Sequence, residues 1–267
     1  MTPITAATRR AYAEDGVVVL PGALEPGALA ETQAAYDWSL AHPGPGATKF
    51  AQTTQSTFYN DLYNPDCLTG YRAMLQASPL PGVLADLLET SDLWFFYEQV
   101  FLKEGGETRR TPWHQDSAYL AIAGDHLAVA WITFEPMAAA DSLEFVRGSH
   151  RGQLYNGSRF ELGDDTAPIN PKSSLPRLPD IEAGRADWDI VSFATKPGDV
   201  VVFHPAMLHG GAPTHPGQRR RTLTLRFFGA DAVYDRREGY AGPRIAGFHE
   251  RLTSGDAFRD PSFLKVL

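Results

Sequence analysis

Apolar and polar positions along this chain change period near residue 93. Before it, two Ala-rich stretches, residues 5–14 and 25–41, place Leu24, Leu29, Tyr36 and Leu40 at helical spacing, and between them lies the compact run Gly16-Val17-Val18-Val19-Leu20, which reads as a strand. Val83, Leu84, Leu87 and Leu88 recur at helical intervals over Gly82–Glu89 and predict a further helix. From Leu93 the chain turns to short runs of aromatic and β-branched residues broken by Gly, Pro and Asp: Leu93–Lys103, Val129–Phe134, Leu143–Val146, Val200–Phe203 and Thr222–Phe228. No helical pattern alternates regularly with these strands, so a doubly wound parallel sheet is disfavoured and a sandwich or jelly-roll is expected.

The stretch Arg151–Ala186 contains Asn156-Gly157, Pro168, Pro171, Pro176, Pro179 and Gly184 with little periodicity, and reads as a long irregular insertion of the kind that serves as a lid. The expected organisation is one domain over 1–267, with a mixed helical and strand part at 1–92, a jelly-roll core at 93–230 holding the 151–186 insertion, and an extension at 231–267. A length of 267 residues is compatible with a single all-β domain, so length does not force a split.

Composition narrows function mostly by exclusion. A hydrophobic share of 43% and a charged share of 21% are those of an ordinary globular protein, not of a disordered or fibrous one. The formal charge of -8 makes a phosphate-tracking surface a poor expectation, so no nucleic-acid partner is read. Cys67 is the single cysteine, which rules out an intramolecular disulfide and a thiolate metal cage. Any metal must therefore rest on histidine and carboxylate. Neither an apolar run of about 18 residues nor a leader pattern is present, so no membrane partner and a cytoplasmic location are expected. Oligomeric state is not written in the sequence.

The chemistry concentrates in two elements. Thr111-Pro112-Trp113-His114-Gln115-Asp116 places an imidazole and a carboxylate two positions apart, on one face if the segment is a strand. The apolar strand of Gly198–Gly210 ends in His204 and His209, either of which can supply a third ligand. Two histidines and a carboxylate on one face leave three positions open on an octahedral ferrous ion, enough for a bidentate oxoacid and dioxygen. A dianionic oxoacid also needs a cation for its distant carboxylate, and the planar fork of arginine suits that task. Arg220 lies eleven residues beyond His209, and Thr222 shares its strand face and can add a hydroxyl. By the same alternation Arg219 and Arg221 point away.

With these residues in place, the sequence resembles the phytanoyl-CoA dioxygenase (PhyH) family of Fe(II)- and 2-oxoglutarate-dependent oxygenases. The likeness runs through Asp15–Gly22, Lys103, Thr111–Asp116, Trp131, Val146-Arg147-Gly148-Ser149-His150, and Gly198-Asp199 to His209-Gly210. It implies a mainly β fold with flanking helices, a double-stranded β-helix of the cupin-like jelly-roll kind. It also implies His114, Asp116 and His209 as iron ligands, Arg220 as the 2-oxoglutarate anchor, and Gln99 and Trp131 as walls of the cosubstrate pocket. His209 is preferred to His204 because Gly210-Gly211 and the spacing to Arg220 fit the family pattern; His204 is expected to end a strand, and His150 to close a turn. The implied reaction is hydroxylation, or another oxidation, of a small organic metabolite with dioxygen, coupled to decarboxylation of 2-oxoglutarate to succinate. Asp116 disfavours halogenation, since related halogenases lack that carboxylate.

The chain departs from many members at Asp141–His150, where an Asn-Gly pair is missing and Arg147 replaces proline, so substrate preference does not carry over. An acyl-CoA thioester is not the expected substrate, because no phosphate-cradling glycine loop lies near the site elements. Tyr59, Asn60 and Tyr63 are candidate lining for a substrate cavity. Two rival readings are a cupin-like isomerase or hydrolase using the same ligands, against which Arg220 speaks, and a jelly-roll binding module with an inert metal site.

Overall fold

The computed structural model describes residues 3–53, 56–106, 109–211, 214–238 and 242–267. Helix α1 (Ala6–Asp15) starts where the Thr5 hydroxyl accepts the Thr8 N–H at 3.1 Å, and ends at Gly16, whose φ of 79° needs the freedom of glycine. Strand β1 (Val17–Leu20) follows, then α2 (Pro26–Ala41) with proline at its first turn, the paired strands β2 (Thr48–Thr53) and β3 (Ser56–Leu62), and helices α3 (Cys67–Ala77) and α4 (Leu80–Leu88). The remaining strands are β4 (Leu93–Glu104), β5 (Thr111–His114), β6 (Ile122–Ala123), β7 (Leu127–Thr133), β8 (Leu143–Val146), β9 (Ile190–Ser192), β10 (Val200–Phe203), β11 (His209–Gly211), β12 (Arg219–Gly229), β13 (Val233–Tyr234) and β14 (Leu264–Lys265), with a short helix α5 (Phe248–Arg251) before the last.

A large antiparallel sheet runs β1-β10-β7-β12-β4-β3-β2, with β14 also on β4, and a smaller one runs β5-β11-β8-β9. The two sheets face each other across Val17, Val129, Trp131, Val201 and Phe203 from the large one and Phe145 from the small one. On its other face the large sheet presents Val18, Val100, Ile132, Val202, Leu223 and Leu225 to Tyr36, Tyr71, Met74, Leu84 and Leu87 of the helices. Both faces are thus covered, which is why β7 and β10 are buried at every position and read as continuous apolar runs. Outside the small sheet, Trp113, Val146 and Leu208 pack on Leu178 and Ile181 of the 151–186 insertion. The expected jelly-roll of mainly β structure with flanking helices is the fold observed.

Several elements were not in the sequence reading. Helix α3 is not among the expected helices; its Gly70 lets Trp38 of α2 lie against it, since a Cβ there would sit 2.3 Å from the indole. The β2–β3 pair, not among the expected strands, widens the large sheet. Strand β12 begins at Arg219, in keeping with the alternation expected over Arg219–Thr222, and Arg219 and Arg221 pair with Glu104 and Glu135, their nearest atoms 3.3 and 2.6 Å away. Among the described residues, no helix is long and apolar enough to cross a membrane.

Candidate metal centre and cosubstrate pocket

Strands β5 and β11 are neighbours, and their register sets His209 directly opposite His114, with ring centroids 4.2 Å apart. Strand β5 ends at His114. Gln115 remains extended, at φ -121° and ψ 124°, so Asp116 returns to the side of His114 as the first residue of a 3-10 turn over Asp116–Tyr119. The carboxylate therefore shares a face with the imidazole as expected, but from a turn rather than from the strand. Gln115 points the other way, donating to the carbonyls of Gln153 and Ala206 at 3.2 and 2.8 Å and accepting from the Tyr155 N–H at 2.9 Å.

Each imidazole is oriented by backbone. Nδ1 of His114 lies 2.9 Å from the Pro112 carbonyl and Nδ1 of His209 lies 2.9 Å from the Met207 carbonyl. Carbonyl oxygens only accept, so both Nδ1 atoms carry the proton and both Nε2 lone pairs are free. Those Nε2 atoms stand 3.5 and 3.9 Å from Asp116 Oδ1, and the three groups offer ligand atoms within 4.8 Å of one another. Burial, and then the neighbouring His114, push His209 down to about 3, so its imidazole is neutral at physiological pH. Burial alone would raise Asp116, yet the carboxyl is held well below its usual range, the Arg226 guanidinium being the largest opposing cause. Three acceptor atoms with no hydrogen between them converge on one point. That donor set fits a divalent transition metal, and of the residues available it matches the two-histidine, one-carboxylate arrangement of ferrous centres.

His204 is excluded from the set. Its Nε2 faces the Gly124 carbonyl at 3.1 Å and its Nδ1 accepts the Ala206 N–H at 3.1 Å, so one nitrogen is spent on the loop before β7 and the other on the turn that follows β10. His150 likewise reaches the Ala13 carbonyl, at 3.2 Å.

Alternation along β12 turns Arg220, Thr222, Thr224 and Arg226 to the space between the sheets, beside Thr133, Trp131 and Val129 of β7 and beside Lys103, Phe101, Gln99 and Tyr97 of β4. Arg220 and Thr222 are buried, and Arg220 Nη1 donates to the Asp141 carbonyl at 2.9 Å. Burial pushes Arg220 down to about 10, with Asp141 opposing. Lys103, its register partner, is 2% exposed and is pushed down to about 7 by burial and then by Arg220. Two buried cations side by side form a site that favours an anion.

Sequence reasoning missed three residues here. Arg226 binds Asp116 Oδ2 through Nε and Nη2, at 3.0 and 2.8 Å, and Nη2 also donates to Gln99 Oε1 at 2.9 Å. Its signal was present, a charge amid an apolar strand at the same parity as Arg220. Lys103 stood in the family-like segment without a role. Phe160 of the insertion, at φ 55° and 40% exposed, lies edge-on to His114 with ring centroids 5.3 Å apart and stacks on Tyr119 at 6.1 Å. No period in the sequence marks it. Of the candidate cavity residues, Asn60 joins Gln99 by a 3.0 Å hydrogen bond and Tyr63 stacks on Tyr97, whereas Tyr59 packs on the helical side.

Residues 12–222 match the phytanoyl-CoA dioxygenase (PhyH) family. The chain belongs to that family. A probable alpha-ketoglutarate-dependent hypophosphite dioxygenase of Stutzerimonas stutzeri is 27% identical over 128 residues, 45% of this chain and 40% of that protein. The peroxisomal phytanoyl-CoA dioxygenase of Homo sapiens is 28% identical over 134 residues, 49% of this chain and 37% of that one. The matched segments thus span about two fifths of the curated relatives' length. In fold, the chain is similar to the epimerase SnoN from nogalamycin biosynthesis, solved with Fe3+, alpha ketoglutarate and nogalamycin RO, with a TM-score of 0.70 at 18% identity over 98% of each chain.

Proposed function

We propose that this PhyH-family protein is an Fe(II)- and 2-oxoglutarate-dependent dioxygenase that hydroxylates or otherwise oxidises a small organic molecule. The observation that carries the reading is the pairing of two free Nε2 atoms and one carboxylate oxygen on the small sheet with a buried arginine on the facing large sheet. His114, Asp116 and His209 would hold the iron, and Arg220, assisted by the Thr222 hydroxyl, would take the distant carboxylate of 2-oxoglutarate. Trp131 and Gln99 would wall the cosubstrate pocket, the latter while engaged with Arg226. When bound, iron supplies the coupling of dioxygen reduction to decarboxylation of 2-oxoglutarate to succinate. The protein's own part is to orient the three ligands through backbone carbonyls, to fix the cosubstrate at its far end and to keep water out. Phe160 and the rest of residues 151–186 serve as the lid. One domain spans the chain in this reading, since strands from residues 1–92 and from the tail complete the large sheet.

The substrate reading rests on chemistry. Aromatic side chains beside His114, Phe160 and Tyr119, suit a small, partly apolar molecule. Location in the cytoplasm is proposed on the single cysteine.

The test is anaerobic titration of metal-free protein with Fe(II) and 2-oxoglutarate, followed by the visible metal-to-ligand charge-transfer band. A band in wild type that is lost in His209→Ala and weakened in Arg220→Ala is the expected result. Absence of the band in wild type would overturn the oxygenase reading.

A further inference from the structure

We propose that Arg226 is a positioning residue for the metal, holding Asp116 so that a single carboxylate oxygen is offered to the ion. The inference rests on the iron-site reading above and adds a residue to it. A carboxylate can bind a metal through one oxygen or two. In a ferrous centre that must also accept a bidentate oxoacid and dioxygen, a second Asp116 oxygen would take a position the reaction needs.

The geometry prevents this. Both Nε and Nη2 of Arg226 converge on Asp116 Oδ2, at 3.0 and 2.8 Å, rather than straddling the two oxygens. Oδ1 alone is left facing the histidine Nε2 atoms. Arg226 is itself held from two sides. Its Nη2 also donates to Gln99 Oε1 at 2.9 Å, while Gln99 Nε2 donates to Asn60 Oδ1 at 3.0 Å, carrying the chain of hydrogen bonds from β12 through β4 to β3. Its guanidinium lies 4.4 Å over the Tyr97 ring, which stacks on Tyr63 at a centroid distance of 3.7 Å. The fork cannot turn without breaking these contacts.

A plainer role would be to neutralise a buried carboxylate. Lysine would serve that equally, but a single ammonium cannot deliver two N–H groups to Oδ2 and a third to Gln99 in a fixed plane. Arg226→Lys therefore separates orientation from charge.

Metal-free wild type and Arg226→Lys are titrated with Co(II), read by the visible bands, which report both affinity and coordination. The expected result is binding weakened about ten-fold or more in Arg226→Lys, with shifted bands and an unchanged melting temperature of the metal-free protein. Gln99→Leu, which loosens Arg226 and leaves the ion pair intact, is expected to weaken Co(II) to a smaller extent in the same direction, and it decides the matter if Arg226→Lys does not fold. Wild-type affinity and wild-type bands in Arg226→Lys, or in Gln99→Leu should it be the deciding variant, would overturn the proposal. Failure of wild type itself to bind Co(II) would instead overturn the metal-centre reading, and this one with it.

Discussion

Glu98 and Lys103 lie on the same strand but face opposite sides of the large sheet, and each is a buried ionisable group whose charge the fold makes costly. Glu98 accepts the Asn64 N–H at 2.9 Å through Oε1, while its Oε2 is buried without a partner, beside Cys67 and Asp61. Burial pushes the carboxyl up to about 7 from an ordinary 4.5, with hydrogen bonds opposing. A raised carboxyl stabilises the fold fully below pH 4.5 and loses that contribution as pH rises to about 7. Glu98→Gln keeps the acceptor for Asn64 and removes the charge, so it is expected to stabilise the protein at pH 8 by on the order of 2 kcal/mol and to change little at pH 4.5. Thermal melts at the two pH values check this; equal destabilisation at both would contradict it.

Lys103 runs the other way. It faces Arg220 from β12, with the Asp141 carbonyl beyond, Phe58 at 4.6 Å from β3, and the Arg109 carbonyl at 3.4 Å. A lysine pushed down to about 7 stabilises the fold only as it loses its proton, so the metal-free, cosubstrate-free protein should gain stability from this group as pH rises above about 7. An anion bound beside it favours the protonated form. Affinity for 2-oxoglutarate is therefore expected to fall as pH rises through 7 to 8, and Lys103→Met to flatten that dependence while weakening binding at pH 6.5. Calorimetric titration of the metal-loaded protein reads both, and an unchanged pH profile in Lys103→Met would remove Lys103 from the cosubstrate site.

At the scale of elements, the insertion 151–186 is fastened to β5 and its flanking residues at several points. Gln115 holds the Gln153 carbonyl and the Tyr155 N–H, Trp113 Nε1 donates to Glu182, and Arg110 pairs with Glu144 at 2.5 Å and Glu182 at 3.1 Å, the same acids that Arg185 meets. Between these anchors Phe160 rests on His114. Phe160→Ala is expected to leave folding and Co(II) affinity intact, because the side chain is on the surface, and to raise 2-oxoglutarate consumption in the absence of substrate by several-fold, because the iron is then less screened from water. Succinate release without substrate is the measurement; a wild-type rate would show that Phe160 does not cover the centre.

The same elements show what was legible beforehand. The meeting of His114, Asp116 and the β11 histidine was open to proposal because one ligand set demands those residue types at strand spacing, and the shared face of Arg220 and Thr222 because period two fixes which side of a strand a residue takes. The choice between His209 and His204 was not available from spacing alone; it is physically decided by the two hydrogen bonds that consume both nitrogens of His204. The contacts of the insertion were out of reach, since they join polar residues far apart in sequence with no period to betray them. Arg226 shares the parity of Arg220 on β12, so the same period-two argument places it on the same face.

For the whole molecule, the arrangement of two sheets gives ligand binding a mechanical consequence. The metal ligands belong to β11, to β5 and to the turn after it, all on the small-sheet side, whereas Arg220, Thr222 and Lys103 belong to the large one. In the ligand-free protein the ion pair of Asp116 and Arg226 already joins the two sides. A cosubstrate chelating the metal at one end and held by Arg220 at the other adds a second tie between them. Any ligand that binds only the folded state stabilises it, by roughly 2.7 kcal/mol at a hundred times its Kd, and in a domain of this size each kcal/mol raises Tm by roughly 2–4 °C. Co(II) alone is thus expected to raise Tm by several degrees, and 2-oxoglutarate to add a comparable shift only when Co(II) is present, because half of its anchorage is the metal. Arg220→Ala should keep the Co(II) shift and lose the 2-oxoglutarate increment; His209→Ala should lose both. If 2-oxoglutarate raised Tm equally without metal, or equally in Arg220→Ala, the cosubstrate would not be spanning the two sheets, and Arg220 would have to be assigned to another ligand.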